Sequence, residues 1–161
     1  MRTRFVLLSL LGALVASGLS AQTKASGTAT CKADPLSPVA VTDRPNHSFV
    51  VGRAQCTWTG FVVAGLQYKD GLSTDLEEIL GDTTSFHGYH VAKTTNGDTA
   101  ACTYECSATS KDGRRVSSAG TWTYTGGTGK LKGIKGKGTF KGTPNPDGTM
   151  TYQVDGEYQL P

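Results

Sequence analysis

The chain has 161 residues, 37% hydrophobic and 18% charged, with a formal net charge of +3. Arg2 and Arg4 belong to a predicted leader, so 14 basic and 13 acidic side chains remain beyond it, and a global polycation is excluded. What remains, about 140 residues, suits one domain that buries roughly two-thirds of its unfolded surface and needs no covalent staple to fold.

Met1 to Arg4 carries two positive charges, Phe5 to Val15 is an apolar run, and small residues follow at Ala16, Ser17, Gly18, Ser20 and Ala21. This is the layout of a secretory signal peptide, with cleavage after Ala21 or after Gly18. The run is too short to span a bilayer, so no membrane insertion is expected. Cys31 lies too far downstream to carry a lipid anchor. The predicted organisation is a signal peptide over 1–21 and a single domain over 22–161, exported to the periplasm or secreted. Four cysteines in that oxidising compartment predict one or two disulfides.

Residues 22–26 read as a frayed start, 27–33 as a first strand, and 33–47 as a loop holding Pro35, Pro38 and Pro45. From there the apolar period is two, that of a strand with one buried face. Val50, Gly52, Ala54, Cys56 and Trp58 share one face of 48–59, one or two strands fall within 61–82, and 86–94 follows. Within 61–82, Thr74 to Gly81 also fits a short helix, with a capping box from Thr74 to Glu77 and Gly81 as its stop, so helix and strand compete there. Ala100, Cys102, Tyr104, Cys106 and Ala108 share a face of 99–109, as do Val116, Ser118, Gly120, Trp122 and Tyr124 in 115–125. After 134–142, the last strand at 149–160 places Met150, Tyr152, Val154, Tyr158 and Leu160 on its apolar side. Asn96-Gly97, Asp112-Gly113 and Asp147-Gly148 supply the positive φ that tight hairpins need, which makes the C-terminal half an antiparallel meander. Seven to nine strands is, roughly, the number at which a twisted sheet closes and loses its edges. The predicted fold is all-β, a single antiparallel, roughly eight-stranded barrel.

Four residues along a regular strand separate Cys102 from Cys106 by about 13 Å, beyond the reach of a disulfide. Cys31, Cys56, Cys102 and Cys106 are all disulfide candidates: either Cys31 and Cys56 each bridge to one of the later two, or one pair forms and two thiols remain. The spacing does not suit a structural zinc site, and no metal or cofactor is expected.

Gly126 to Gly142 packs seven glycines and five lysines without a carboxylate. Glycine at this density marks bends, bulges or close backbone approach, so the barrel is predicted to turn a corner here. A phosphate loop does not fit, because Leu131 follows Gly129-Lys130 and Tyr124 stands where the motif's first glycine belongs. Tyr124 to Phe140, with Gly126-Gly-Thr-Gly129 at its start, resembles the glycine signature of the allene oxide cyclase and dirigent type of β-barrel, which recurs in small exported bacterial proteins of unknown function. The resemblance spans 86–161 and implies an eight-stranded antiparallel barrel, often trimeric. No catalytic position of those families matches residue by residue, and none is carried over.

Lys135, Lys137 and Lys141 share one parity of their strand while Ile134, Gly136, Gly138 and Phe140 share the other, so the charges form an outer face that Lys130 and Lys132 extend. These five lysines are candidates for a surface interaction. Nucleic acid is not an expected partner, since no aromatic residue interleaves with them. His87 and His90 point to opposite faces and make a poor chelating pair. Glu77, Glu78 and Asp82 read as solvated carboxylates, and no Gly-x-Ser-x-Gly elbow or catalytic triad pattern stands out. Trp58, Tyr104, Trp122, Tyr124 and Tyr152 fall on apolar faces and are the candidate ligand-pocket residues. Their rings either fill the interior, the simpler reading, or form a cup for one small hydrophobic ligand.

The function these observations support is that of an exported small barrel that binds or supports rather than catalyses. One alternative is a cyclase- or isomerase-like enzyme acting on a small hydrophobic molecule. Another is a polyanion- or surface-interaction protein using the lysine strand. A hollow interior lined by Tyr104 and Trp122 with a buried carboxylate would favour the enzyme, and a solid interior with an exposed flat face would favour interaction. Expected partners are a small hydrophobic ligand and further copies of the chain.

Overall fold

The computed structural model describes residues 22–161, and the predicted signal peptide lies outside the described residues. Ten strands appear: β1 (Thr23–Ala33), β2 (Val39–Ala40), β3 (His47–Thr59), β4 (Val62–Val63), β5 (Leu66–Leu80), β6 (Thr83–Thr94), β7 (Thr99–Lys111), β8 (Arg114–Gly127), β9 (Lys135–Pro144) and β10 (Met150–Gln159). Eight of them close an antiparallel barrel in the order β1, β3, β5, β6, β7, β8, β9, β10, with β10 paired back onto β1. Each of the eight lies beside the next of them in sequence, joined by hairpins except for the long loop between β1 and β3, and closure removes the sheet edges. The two-residue β2 takes over the edge of β3 where β1 ends, inside the loop predicted over 33–47.

One expectation changes and one open alternative is resolved. Residues 23–26 are not frayed, because Thr23 to Ser26 pair with Tyr158 to Asp155 at the closing seam. Residues 74–81 are strand up to Leu80, because every residue from Asp70 to Leu80 has a partner on both β6 and β3, which an isolated helix turn could not match. Gly81 still ends the element, at φ 58. In the glycine-lysine segment the chain leaves β8, forms a short 3-10 turn at Gly129–Leu131, and re-enters as β9, where the sequence placed a strand over 134–142.

One end of the barrel is plugged from within. Positive φ at Ala64 and Gly65 folds β4 back on β5 in a tight hairpin, and Phe61 and Val63 are driven into the barrel. β1 admits this plug only because Gly27 lacks a side chain, since a Cβ there would meet the Phe61 backbone nitrogen at 2.5 Å. Leu131 and Ile134, on either side of Gly133, close the same end. The 3-10 turn is pinned from below, where the Lys130 backbone N–H donates to Asp98 Oδ2 at 2.9 Å.

Candidate functional site

The interior is not filled. Above the plug, a cavity of about 150 Å³ runs between the walls, its floor formed by Phe61, Tyr68, Trp122 and Tyr124 and its rim by Ala33, Leu36, Gly148 and Met150. A cavity of this volume holds one benzene-sized molecule. Small residues leave the space, with Ala29 on β1 and Gly52 and Ala54 on β3 facing inward. All five aromatic candidates from the sequence, Trp58, Tyr104, Trp122, Tyr124 and Tyr152, line it. The hydroxyls of Tyr68 and Tyr124 share a hydrogen bond of 2.8 Å at the floor.

The polar chemistry comes from β5, whose alternation is inverted. Gly71, Ser73, Asp75 and Glu77 face the interior while Leu72, Leu76 and Leu80 face outward and are exposed. Glu77, read from the sequence as solvated, is 5% exposed. Its Oε2 accepts a hydrogen bond from Arg115 Nη2 at 2.8 Å, and the Arg115 guanidinium lies 4.9 Å from the centre of the Phe86 ring. Burial pushes the Glu77 carboxyl above the usual carboxylate range, against the lowering pull of Arg115 and helped by the charge of Asp75. Tyr104 donates its hydroxyl to Asp75 Oδ2 at 2.5 Å, while Asp75 Oδ1 is buried without a partner. Burial, then the Asp75 contact, raises the Tyr104 pKa, so its hydroxyl stays a donor. Both carboxylates lie over Gly52, the cross-strand partner of Asp75 on the neighbouring β3, where a Cβ would meet Glu77 Oε1 at 3.0 Å and Asp75 Oδ1 closer still. Also buried without a partner are the Trp122 indole N–H, a donor at the floor, and Ser118 Oγ.

Arg115 reaches the interior through a β-bulge. The β7–β8 register slips between Thr109 and Ser110, so that Thr109 pairs with Ser117 but Ser110 with Arg115. The slip reverses parity, placing Val116 outside at 44% exposure where strict alternation predicted it inside. No single-strand pattern announces such a slip.

His90 also faces inward and His87 outward, as alternation predicts. Trp58 Nε1 donates to His90 Nε2 at 3.2 Å, so Nε2 carries no proton and Nδ1 donates to Ser73 Oγ at 2.9 Å. Burial lowers the His90 pKa to about 4, which keeps this tautomer neutral. A base that must take the serine proton would need the opposite arrangement, so Ser73 and His90 are not a nucleophile and base.

Cys31 and Cys56 stand directly opposite on β1 and β3 and form a disulfide, while Cys102 and Cys106 are free thiols facing inward on β7. Of the open connectivities, this is the one with a single pair, and no bridge joins β7 to β1 or β3. The five lysines 130, 132, 135, 137 and 141 are exposed. Lys137 lies across from Glu157, itself across from Lys24, so the lysine row is interrupted by acid. Among the described residues, no cluster of three or more His, Cys, Asp or Glu could hold a metal ion, and no helix is long and apolar enough to cross a membrane.

Fold and cavity together define a class: an up-and-down eight-stranded barrel plugged at one end, with an aromatic interior that carries a buried carboxylate pair. Among solved structures, the chain is similar to a protein of unknown function from the DUF3224 family of Shewanella oneidensis, at TM-score 0.52 and 14% identity over 88% of this chain and 100% of that one. It is also similar to a pterocarpan synthase dirigent protein, at TM-score 0.50 and 12% identity over 96% of this chain and 98% of that one. At these identities the likeness is one of fold, that of a dirigent-like barrel. No protein-family model matches the sequence, and no curated protein matches it either.

Proposed function

We propose that this chain is an exported, dirigent-like barrel that binds one small, mostly apolar molecule in its interior. The observation that carries the reading is Asp75 Oδ1: a buried carboxylate oxygen without a donor, on the wall of a cavity otherwise lined by aromatic rings. Unpaired polar atoms at that depth cost stability, so a site that tolerates one is built around a partner that brings the donor. The ligand is therefore a ring or short hydrocarbon with a single hydrogen-bond donor, its body on the floor rings. The Cys31–Cys56 disulfide is compatible with export. Since both tryptophans of the chain, Trp58 and Trp122, line the cavity, binding has a built-in reporter. Titrating small aromatic compounds should give a saturable change in tryptophan fluorescence, and Ala54→Phe, which fills the cavity from β3, should abolish it while the fold is kept. A change that survives Ala54→Phe would place the binding elsewhere.

Glu77 favours a second reading. A carboxyl held above its usual range, lining a cavity two residues along β5 from Asp75, can act as a general acid toward a small hydrophobic substrate, as a cyclase or isomerase requires. Turnover lost in Glu77→Gln while binding persists would select the enzyme over the binder.

A further inference from the structure

The binding reading leaves open what kind of donor meets Asp75, and the charges in the cavity answer that. Four charged side chains line it: Asp75, Glu77 and Arg115 within, and Arg53 at the rim. Glu77 and Arg115 satisfy one another at 2.8 Å. The histidine of the lining, His90, is kept neutral by burial, and its two ring nitrogens are taken by Trp58 and Ser73. Tyr104 and Ser73 supply only neutral hydroxyls. Arg53 at the rim is exposed, and solvent and salt screen it. Asp75 thus stands as a carboxylate with one neutral donor and no cation, in a largely apolar wall. A buried charge in that condition gains most from a partner of opposite sign, because a charge-assisted hydrogen bond is about twice as strong as a neutral one. The walls suit such a partner too: Tyr104, bonded to Asp75, and Tyr152 line the same cavity, and ring faces attract cations.

Resting on the reading that the interior binds a small apolar molecule, we propose that its ligand is a small ring compound bearing a protonated amine, the ammonium on Asp75 Oδ1 and the ring on the floor formed by Phe61, Trp122 and Tyr124. The volume agrees, since about 150 Å³ takes one aromatic ring and a short arm open toward the rim.

Benzylamine, benzyl alcohol and benzoate share the ring and differ in the charge of the polar group. Calorimetric titration of the full chain at neutral pH should find benzylamine bound about tenfold tighter than benzyl alcohol, with benzoate weakest. Asp75→Asn should erase the preference for benzylamine over benzyl alcohol. Tyr104→Phe, which strips the carboxylate of its only neutral donor, should widen it, a direction that general loosening of the site would not produce. Benzyl alcohol binding as well as benzylamine in the unaltered protein would overturn the amine while leaving the cavity reading intact. Preference retained in Asp75→Asn would do the same. No heat and no fluorescence change with any ring compound would overturn the cavity reading itself.

Discussion

The Glu77–Arg115 pair concentrates the electrostatic tension of the barrel at one residue. Burial drives the Glu77 carboxyl upward and Asp75 adds to that, while Arg115 pulls it down through both its charge and its hydrogen bond. Arg115→Leu keeps some of the packing on Phe86 and deletes both lowering effects, so the Glu77 pKa should climb further, a change visible in the side-chain carboxyl titration by NMR. The sign for stability follows from linkage. A carboxyl whose folded pKa lies above its unfolded value binds its proton more tightly when folded, and that contribution is lost as pH rises from the ordinary glutamate range through the folded value. The variant should therefore lose more stability near neutral pH than near pH 5. Because the Arg115 side chain is 24% exposed, the neutral-pH loss should be about 1–3 kcal/mol, below the range for a fully buried pair. Equal losses in urea unfolding at the two pH values would show that the pair is not coupled to the proton.

At the level of the strand, the glycines of β9 are the counterpart of the large rings facing them. Gly142 is buried, and a Cβ there would meet the Tyr152 ring at 2.6 and 2.8 Å as well as Ser118 Oγ, all of them side-chain atoms. Gly142→Ala should cost about 1–3 kcal/mol through overpacking. In a Tyr152→Leu background most of that cost should vanish, and a double-mutant cycle by thermal melting measures the coupling. Additive losses would mean that the backbone, not the ring, sets the limit. The same strands show what could be read from the chain. β6 alternates cleanly, and the hairpins at Gly97, Gly113 and Gly148 all carry the positive φ their sequence requires, so the barrel was legible. β5 was not, for a physical reason. Leu72, Leu76 and Leu80 recur every four residues, the spacing of a helix face, and here they lie outside the barrel beside Val91 and Val51. With apolar residues out and Ser73, Asp75 and Glu77 in, the usual rule assigns the wrong face, and only closure of the barrel reveals it. The candidate site was thus half visible: the rings were, the charges were not, and Arg115 was hidden by a register slip.

For the molecule as a whole, the cysteines separate what holds the wall from what lies within it. Cys31–Cys56 ties β1 to β3 beside the cavity and encloses a sequence separation of 25 residues, including the loop that reaches the rim at Leu36. On the chain-entropy account, a loop of that length is worth about 3.5 kcal/mol, so a Cys31→Ala, Cys56→Ala double variant should fold but lose roughly that amount in denaturant unfolding. Cys102 and Cys106 do not share this role. They stand four residues apart on one strand, and burial pushes both thiols up to about 12, leaving almost no thiolate near neutral pH. Alkylation of the folded protein near pH 8 without reductant should therefore be very slow. Unfolding in guanidinium should release two thiols per chain and no more. Four thiols would mean that β1 and β3 are held by packing alone, and none would mean that β7 has opened far enough for its cysteines to pair. Two thiols that react as fast in the folded protein as in the unfolded one would show an interior open to water, which would weaken every charge interaction that Asp75 offers a ligand.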